Sequence, residues 1–429
     1  MKHVSLTIIV AALCCACNVS ISHPDDNNQN VNNGNDTLLE LRLNAKQQQQ
    51  VVQGNEFTLN MLRQTYANRE TENVIISPLS LSMALSILMN GAEGETLQQL
   101  KDGLGFGEWS NEEINRYNQL LLYTLPKLDN YTKVMLANSL WVANGFPIKE
   151  DFVNTNKLYF QSKVRNVDFS DPATAVLINA WAAEHTNDLI KEIVDAGLIY
   201  DCVALIANAL YFKGIWAEEF KAEDTKPDAK FLASDKSTQK VEMMYKHAEM
   251  KYALYNKAQL AELDYKGDAY CMDLLLPPAD MDIMTFLKSM QAEDIMNFEQ
   301  NYWPEKTYGN TTYRNLENVD LYMPKFRLHY ERMLNNDLMA LGMTNMFSPS
   351  ADFSRLSNIA THVSFVKQNT FLSVDETGTE AAAVTVIGVK ETAAMPTMME
   401  LNRPFVLFIR EKKYGTILFA AVIGNPNEK

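Results

Sequence analysis

Little in this 429-residue chain speaks for catalysis. The patterns GxSxG, HExxH and GxxxxGK[ST] do not occur, which removes the nucleophile elbow, the helical zinc pair and the phosphate cradle. Histidine is scarce, and the six present (His3, His23, His185, His247, His329 and His362) show no metal-ligand spacing. They read as surface or satisfied interior groups, although a triad gathered from distant positions stays open at this point. No catalytic residue, metal or cofactor is therefore expected. Basic residues number 38 against 53 acidic ones, a net charge of −15 that argues against a nucleic-acid partner. Cysteine is rare too. Three of the five (Cys14, Cys15, Cys17) crowd the N-terminus, leaving Cys202 and Cys271 in apolar, strand-like runs where a thiol behaves as a small hydrophobe. That is no disulfide scaffold, and one bridge between the two stays open.

What is present begins with a short basic start and an apolar run over residues 4–13. The run is too short for a bilayer span of about 20 residues and fits an export signal. It ends Leu13-Cys14-Cys15-Ala16-Cys17, which resembles a bacterial lipoprotein signal with Cys17 as the lipidated first residue. The usual upstream leucine is displaced to Leu13, so Cys15 is the fallback. Residues 1–16 are then a signal peptide, and the Asn-, Gln- and Asp-rich residues 17–48 a flexible tether. The folded domain is expected over 49–429. Apolar content of 47% suits a large core, and the 21 methionines are spread through apolar segments as filler.

Along the body, helical spacing predicts helices over 49–66, 112–125, 149–159 and 171–190. Ser77-Pro78 reads as an N-cap followed by proline at the first helical position, opening a buried helix that Gly91 closes. Strand patterns occupy 133–142, 203–216 and 363–374, and a hairpin with Tyr414-Gly415 in its turn lies near the C-terminus.

The stretch around which the rest is organised is residues 374–398, VDETGTEAAAVTVIGVKETAAMPTM. Read with period two, Thr379, Ala381, Ala383, Thr385, Ile387 and Val389 share a face without charge. The opposite face carries Glu380, Ala382, Val384, Val386, Gly388 and Lys390. On these residues alone three readings stand: a hairpin strand, an alanine-rich helix opposed by its β-branched residues, and a segment able to be either exposed loop or inserted strand.

The run Glu376-Thr377-Gly378-Thr379-Glu380-Ala381-Ala382-Ala383 resembles the hinge of inhibitory serpins. NVIISPLSLSMALSILMNGAEGETLQQL (73–100) is similar to that family's second and third helices, and further segments match in order to Pro426. The resemblance implies an α+β serpin fold: one large domain of three β-sheets, a large central sheet among them, about eight to nine helices and an exposed reactive-centre loop over about 376–398. It implies a monomer, and a bait loop that a target serine or cysteine protease cleaves. The cut loop then enters the central sheet as an added strand and releases stored strain. Glu376 and Gly378 would be the hinge, Thr379 the first residue to enter, and Ala381, Ala382 and Ala383 the small residues that let entry proceed. Ser77, Ser80, Asn208 and Trp216 correspond to positions at the sheet opening. Gln368 stands where many animal serpins have histidine, eight residues before Glu376, and can still bond to Asn208 or Ser77. Val384 replaces the usual alanine. No Lys/Arg run spans 95–125, so heparin activation has no support.

Family spacing, counted seventeen residues from Glu376, puts the scissile bond at Thr392–Ala393, and counting back from Asn402 puts it at Ala393–Ala394. Both suit elastase-like or subtilisin-like enzymes, while Lys390–Glu391 is the trypsin-like alternative. The rival readings are a non-inhibitory serpin acting as carrier or binding module, and a surface enzyme or glycan-binding lipoprotein. An outer-membrane or cell-surface location is expected, with the membrane touched only by the lipid, and a periplasmic or secreted one is the alternative.

Overall fold

Continuous apolar runs mark strands covered on both faces, and alternating ones mark strands with a wet side. Both kinds occur in the computed structural model, which describes residues 4–11, 38–308, 311–314, 316–379 and 396–428. Its strands are numbered here along the chain. The first sheet runs β13 (Phe326–Met333), β14 (Thr361–Val374), β1 (Val4–Ala11), β5 (Cys202–Ile215), β3 (Lys133–Ala143) and β4 (Lys163–Val167). A two-residue strand, β15 (Gly378–Thr379), joins the end of β5. The second runs β16 (Thr397–Glu400), β12 (Glu317–Pro324), β7 (Thr238–Tyr255), β8 (Ala258–Asp264), β9 (Tyr270–Leu276), β17 (Phe405–Glu411), β18 (Ile417–Ile423) and β2 (Val74–Ile76). A further strand, β6 (Lys226–Leu232), pairs with β7, and β10 (Lys306–Tyr308) and β11 (Thr311–Tyr313) form a separate hairpin. The long β7 pairs with β12 as far as Met250 and with β8 from Lys251 onward. The two smaller sheets expected beside the large one are therefore continuous through one strand.

Eleven α-helices lie among the described residues, more than the eight or nine expected. The surplus is short pieces such as Ala196–Ile199, Ala292–Met296 and Phe298–Tyr302, too brief to leave a periodic pattern. Helix α1 (Ala45–Ala67) starts before residue 49, and the expected tether is corrected at its C-terminal end. Asn44 and Gln47 close a capping box, so the glutamine run becomes the first turns of a helix. Gln50 is buried and donates to the Leu104 carbonyl at 3.1 Å. Ahead of the helix, Leu41 and Leu43 are buried and the Leu39 amide donates to Lys127 O at 2.8 Å. Apolar residues at 39, 41 and 43 anchor what composition alone read as solvated. Similarly, the helix expected over 171–190 ends at Glu184, and the chain continues as a covering loop.

Helix α2 (Pro78–Met89) is buried at every position but Ser82 and packs against β5 and β18. Ser77 precedes it as expected but does not cap it: its hydroxyl donates to Leu418 O at 3.0 Å. Proline at the first helical position leaves one orphan amide fewer to satisfy.

The place between β5 and β14 decides what the large sheet can do. Strand β1 lies there, parallel to both, running from Val4 opposite Thr361 to Ala11 opposite Asn369. It reaches Asn208 along β5, and β15 enters the same place from the far end at Gly214. Between them is a cavity of about 20 Å³, bordered by Leu210, Phe212, Phe371 and Thr379.

Candidate functional site

Where β14 ends, the chain is caught by the residues that follow β5. The Trp216 amide donates to Thr377 O at 2.9 Å, and the Phe220 amide to Glu376 O at 2.8 Å. The Trp216 indole N–H donates to Asp375 O at 3.0 Å. Three successive carbonyls are thus held, and the Asp375 carboxylate turns the backbone by accepting from the Thr377 amide and hydroxyl at 3.0 and 2.9 Å. The Glu376 carboxylate pairs with Lys325 at 3.0 Å and accepts from the Thr225 hydroxyl at 2.8 Å. Burial opposes its ionisation, but the Thr225 hydrogen bond and the Lys325 ammonium outweigh it and hold the carboxyl below its ordinary range. Thr379 is buried, and its hydroxyl meets Tyr265 Oη at 2.7 Å. Tyr265 is stacked on Trp216 with centroids 4.7 Å apart.

Two glycines permit this approach. A Cβ on Gly378 would lie 2.1 Å from the Gly214 carbonyl oxygen, and one on Gly214 would lie 2.4 Å from Tyr265 Cδ1. Only hydrogen at both positions lets β15 reach β5 beneath the tyrosine.

Deeper in the sheet, two hydrogen-bonded sets tie its halves separately to α2. On the β5 side Ser80 Oγ donates to Asn208 Oδ1, Asn208 Nδ2 to Asn138 Oδ1 at 2.5 Å, and Asn138 Nδ2 to Phe160 O at 2.8 Å. On the β14 side Gln368 Nε2 donates to Ser77 O at 2.9 Å and its Oε1 accepts from the Ser77 amide at 3.2 Å. Of the two partners open to Gln368 in the sequence, the structure selects Ser77. Among the described residues no hydrogen bond joins Gln368 to Asn208, and β1 stands between them, Val10 lying opposite both.

The residues expected at the sheet opening, Ser77, Ser80, Asn208, Trp216 and Gln368, are all buried about one seam, and Glu376, Gly378 and Thr379 are at its mouth. Glu380, Ala381, Ala382, Ala383, the bond candidates Lys390, Glu391, Thr392, Ala393 and Ala394, and Cys17 lie outside the described residues. Sequence reasoning missed Tyr265, Lys325 and Thr225, which nothing local marks. Gly214, inside an apolar strand run, did carry a signal, because glycine there means close backbone approach.

A second buried constellation was also missed. Glu262, Cys271 and Asp273 place potential metal-ligating atoms within 4.8 Å of one another. Arg410 already supplies the cation, pairing with Glu262 and with Asp273 at 2.7 Å. Lys251 adds a second cation at Glu262, so the arrangement reads as a buried ion-pair network of two cations and two carboxylates. An acid and a base standing alone in the apolar runs YCMDLLL and FVLFIRE were the available sign. Cys202 and Cys271 are buried in β5 and β9 and do not bridge one another.

The family model described as Serpin (serine protease inhibitor) matches residues 53–426. This chain is a serpin. Among curated relatives, neuroserpin of Gallus gallus is 31% identical over 383 residues, covering 86% of this chain and 90% of that protein. Among solved structures, the thermophilic serpin tengpin in its native state superposes with a TM-score of 0.78 at 26% identity, covering 91% of this serpin and 97% of that chain. Thyroxine-binding globulin in complex with thyroxine shares the fold, with a TM-score of 0.77 at 24% identity, covering 89% and 100%. The family's general role is protease inhibition rather than catalysis.

Anchoring of the 375–377 segment in this serpin is strengthened by an ionised Glu376. Its carboxyl is depressed, so the stabilisation is present above the ordinary value of about 4.3 and lost as pH falls through the folded-state value. The protection of the Trp216 and Phe220 amides, which donate to this segment, measured relative to intrinsic exchange at the same pH, is expected to fall in acid in the wild type. In Glu376→Gln it should already be lower at neutral pH, by several-fold for a loss of about 1 kcal/mol. Equal exchange in the two proteins at pH 7 would show that the ion pair does not hold the hinge.

Proposed function

We propose that this serpin inhibits a serine protease, with cysteine proteases as a second class, by insertion of its cleaved loop. The observation carrying the reading is β15: Gly378 and Thr379 are already antiparallel to β5, opposite Ile215 and Gly214. That is the direction in which a chain leaving the top of β14 and turning back must run. A loop continuing from Thr379 would pass down the place between β5 and β14, with the charge-free face from Thr379 to Val389 turned inward. The uncleaved form is then a kinetic trap rather than the lowest state.

The bait bond in this reading is Thr392–Ala393, with Ala393–Ala394 and Lys390–Glu391 as alternatives. The target is a protease preferring small side chains, elastase-like or subtilisin-like, with a trypsin-like enzyme for Lys390. The chain is exported and anchored through Cys17 by lipid at the outer membrane or cell surface, with a periplasmic or secreted location as the alternative. Removal of residues 1–16 would take β1 with it and vacate the place that the loop must fill. Processing thus precedes inhibition.

Incubating the protein that begins at Cys17 with elastase and with trypsin, then running a denaturing gel, tests the reading. A band of summed mass stable to SDS is the expected result. Clean cleavage without it would transfer the protein to the carrier or binding class, and hydrolysis of small esters would make it an enzyme. Sequencing the released C-terminal peptide identifies the bond.

A further inference from the structure

Behind the hinge, on the side away from the sheet seam, is a cavity of about 330 Å³ between β7, β8 and the segment entering β12. Its size is at the lower end for a small-molecule site. Trp216, Met250, Leu263 and Leu316 give it apolar walls, and charged side chains gather at one end. Most of these are matched at contact distance. Lys251 pairs with Glu262 and with Glu299 at 2.9 Å, and Lys412 with Asp264 at 2.8 Å. Arg314 pairs with Glu299 at 3.0 Å.

Lys246 differs. Its side chain is only 12% exposed, yet the nearest carboxylate, Glu218, stands 3.8 Å away and is itself 72% exposed at the rim. Among the described residues its one hydrogen bond goes to the Glu218 main-chain oxygen. The ammonium also stands 5.3 Å from the centroid of the Phe220 ring, so its charge meets a ring face and one exposed carboxylate, and among the described residues it forms no ion pair with a buried carboxylate. Burial lowers its pKa to about 8, by more than the charges of Glu218 and Asp264 restore. Of the lining carboxylates, which include Glu249 at the same cavity, Glu262, Asp264 and Asp268 are paired with Arg410, Lys251 and Lys412, and Asp264 acts on Lys246 only at longer range.

We propose that this cavity binds a small amphipathic anion: a flat apolar body against Trp216 and Leu263, with one carboxylate, sulfonate or phosphate group on Lys246. The site is independent of loop cleavage. It does share Trp216 with the hinge, because the indole that lines it also holds the Asp375 carbonyl.

The probe is 1-anilinonaphthalene-8-sulfonate, titrated by fluorescence into the intact chain. Saturable binding of one dye per chain is expected. Lys246→Met, which keeps the apolar stem, should weaken it about tenfold or more, Lys246→Arg should retain it, and Lys230→Met on β6 should leave it unchanged. Bound dye should also slow exchange of the Trp216 amide. Wild-type affinity in Lys246→Met overturns the proposal, as does equal loss in Lys230→Met, which would mean a general charge effect. Absence of saturable binding, or unaltered Trp216 exchange, overturns it as well. Melting of each variant checks that the fold is intact.

Discussion

Replacing Thr379 by arginine is expected to abolish protease capture while leaving cleavage of the loop unimpaired. Thr379 is the last described residue of the hinge and already sits inside the seam, bonded to Tyr265. Ahead of it the cavity is bordered by Leu189, Leu210, Phe212 and Phe371, with no carboxylate among its lining residues. In the uncleaved chain an arginine would be turned out of the seam to solvent, and carrying it back in with the cut loop would cost its hydration with no counter-charge to meet. A penalty of about 3 kcal/mol on the inserting path shifts the partition between capture and release by about 100-fold. The SDS-stable band should therefore vanish and cleaved serpin accumulate at the wild-type rate, whereas Thr379→Ser, which keeps the hydroxyl, should behave as wild type. An undiminished complex with Thr379→Arg would mean that the hinge does not enter here.

Cleavage of the loop in the chain beginning at Cys17 should raise its resistance to heat. An inserted segment gains pairing on both edges and buries the face from Thr379 through Ala381, Ala383, Thr385 and Ile387 to Val389. Burial and hydrogen bonding of that order contribute roughly 5–10 kcal/mol. For a domain of this size the melting temperature should climb by about 6–12 °C. Scanning calorimetry before and after limited elastase digestion measures it. The precursor that retains residues 4–11 is expected to show a smaller rise, because β1 holds the same ground between β5 and β14. Identical melting of cut and uncut processed protein would remove the metastable starting state on which loop insertion depends.

Much of the framework was legible beforehand. The strands at Lys133–Ala143, Cys202–Ile215 and Thr361–Val374 fall within two residues of their apolar runs, because a sheet covered on both faces requires such runs. Ser77-Pro78 marked the start of α2 through the fixed φ of proline. The glutamine run misled, since its polarity suits solvent and its helix propensity suits α1 equally well; the neighbouring leucines decided between them.

Local chemistry by itself determined where chain direction changes, which faces are apolar, and that the stretch from Thr379 to Val389 carries one face without charge. The motifs supplied the family. What only the folded chain decided is who holds the hinge. Tyr265, Thr225 and Lys325 are 114, 151 and 51 residues from their partners Thr379, Glu376 and Glu376. Contacts over such separations leave no periodic trace, because periodicity records only the face a residue presents and never the residue it meets. For the same reason the weakly paired charge of Lys246 emerges only when β7 folds beside Trp216, where burial removes the water that would otherwise have solvated it.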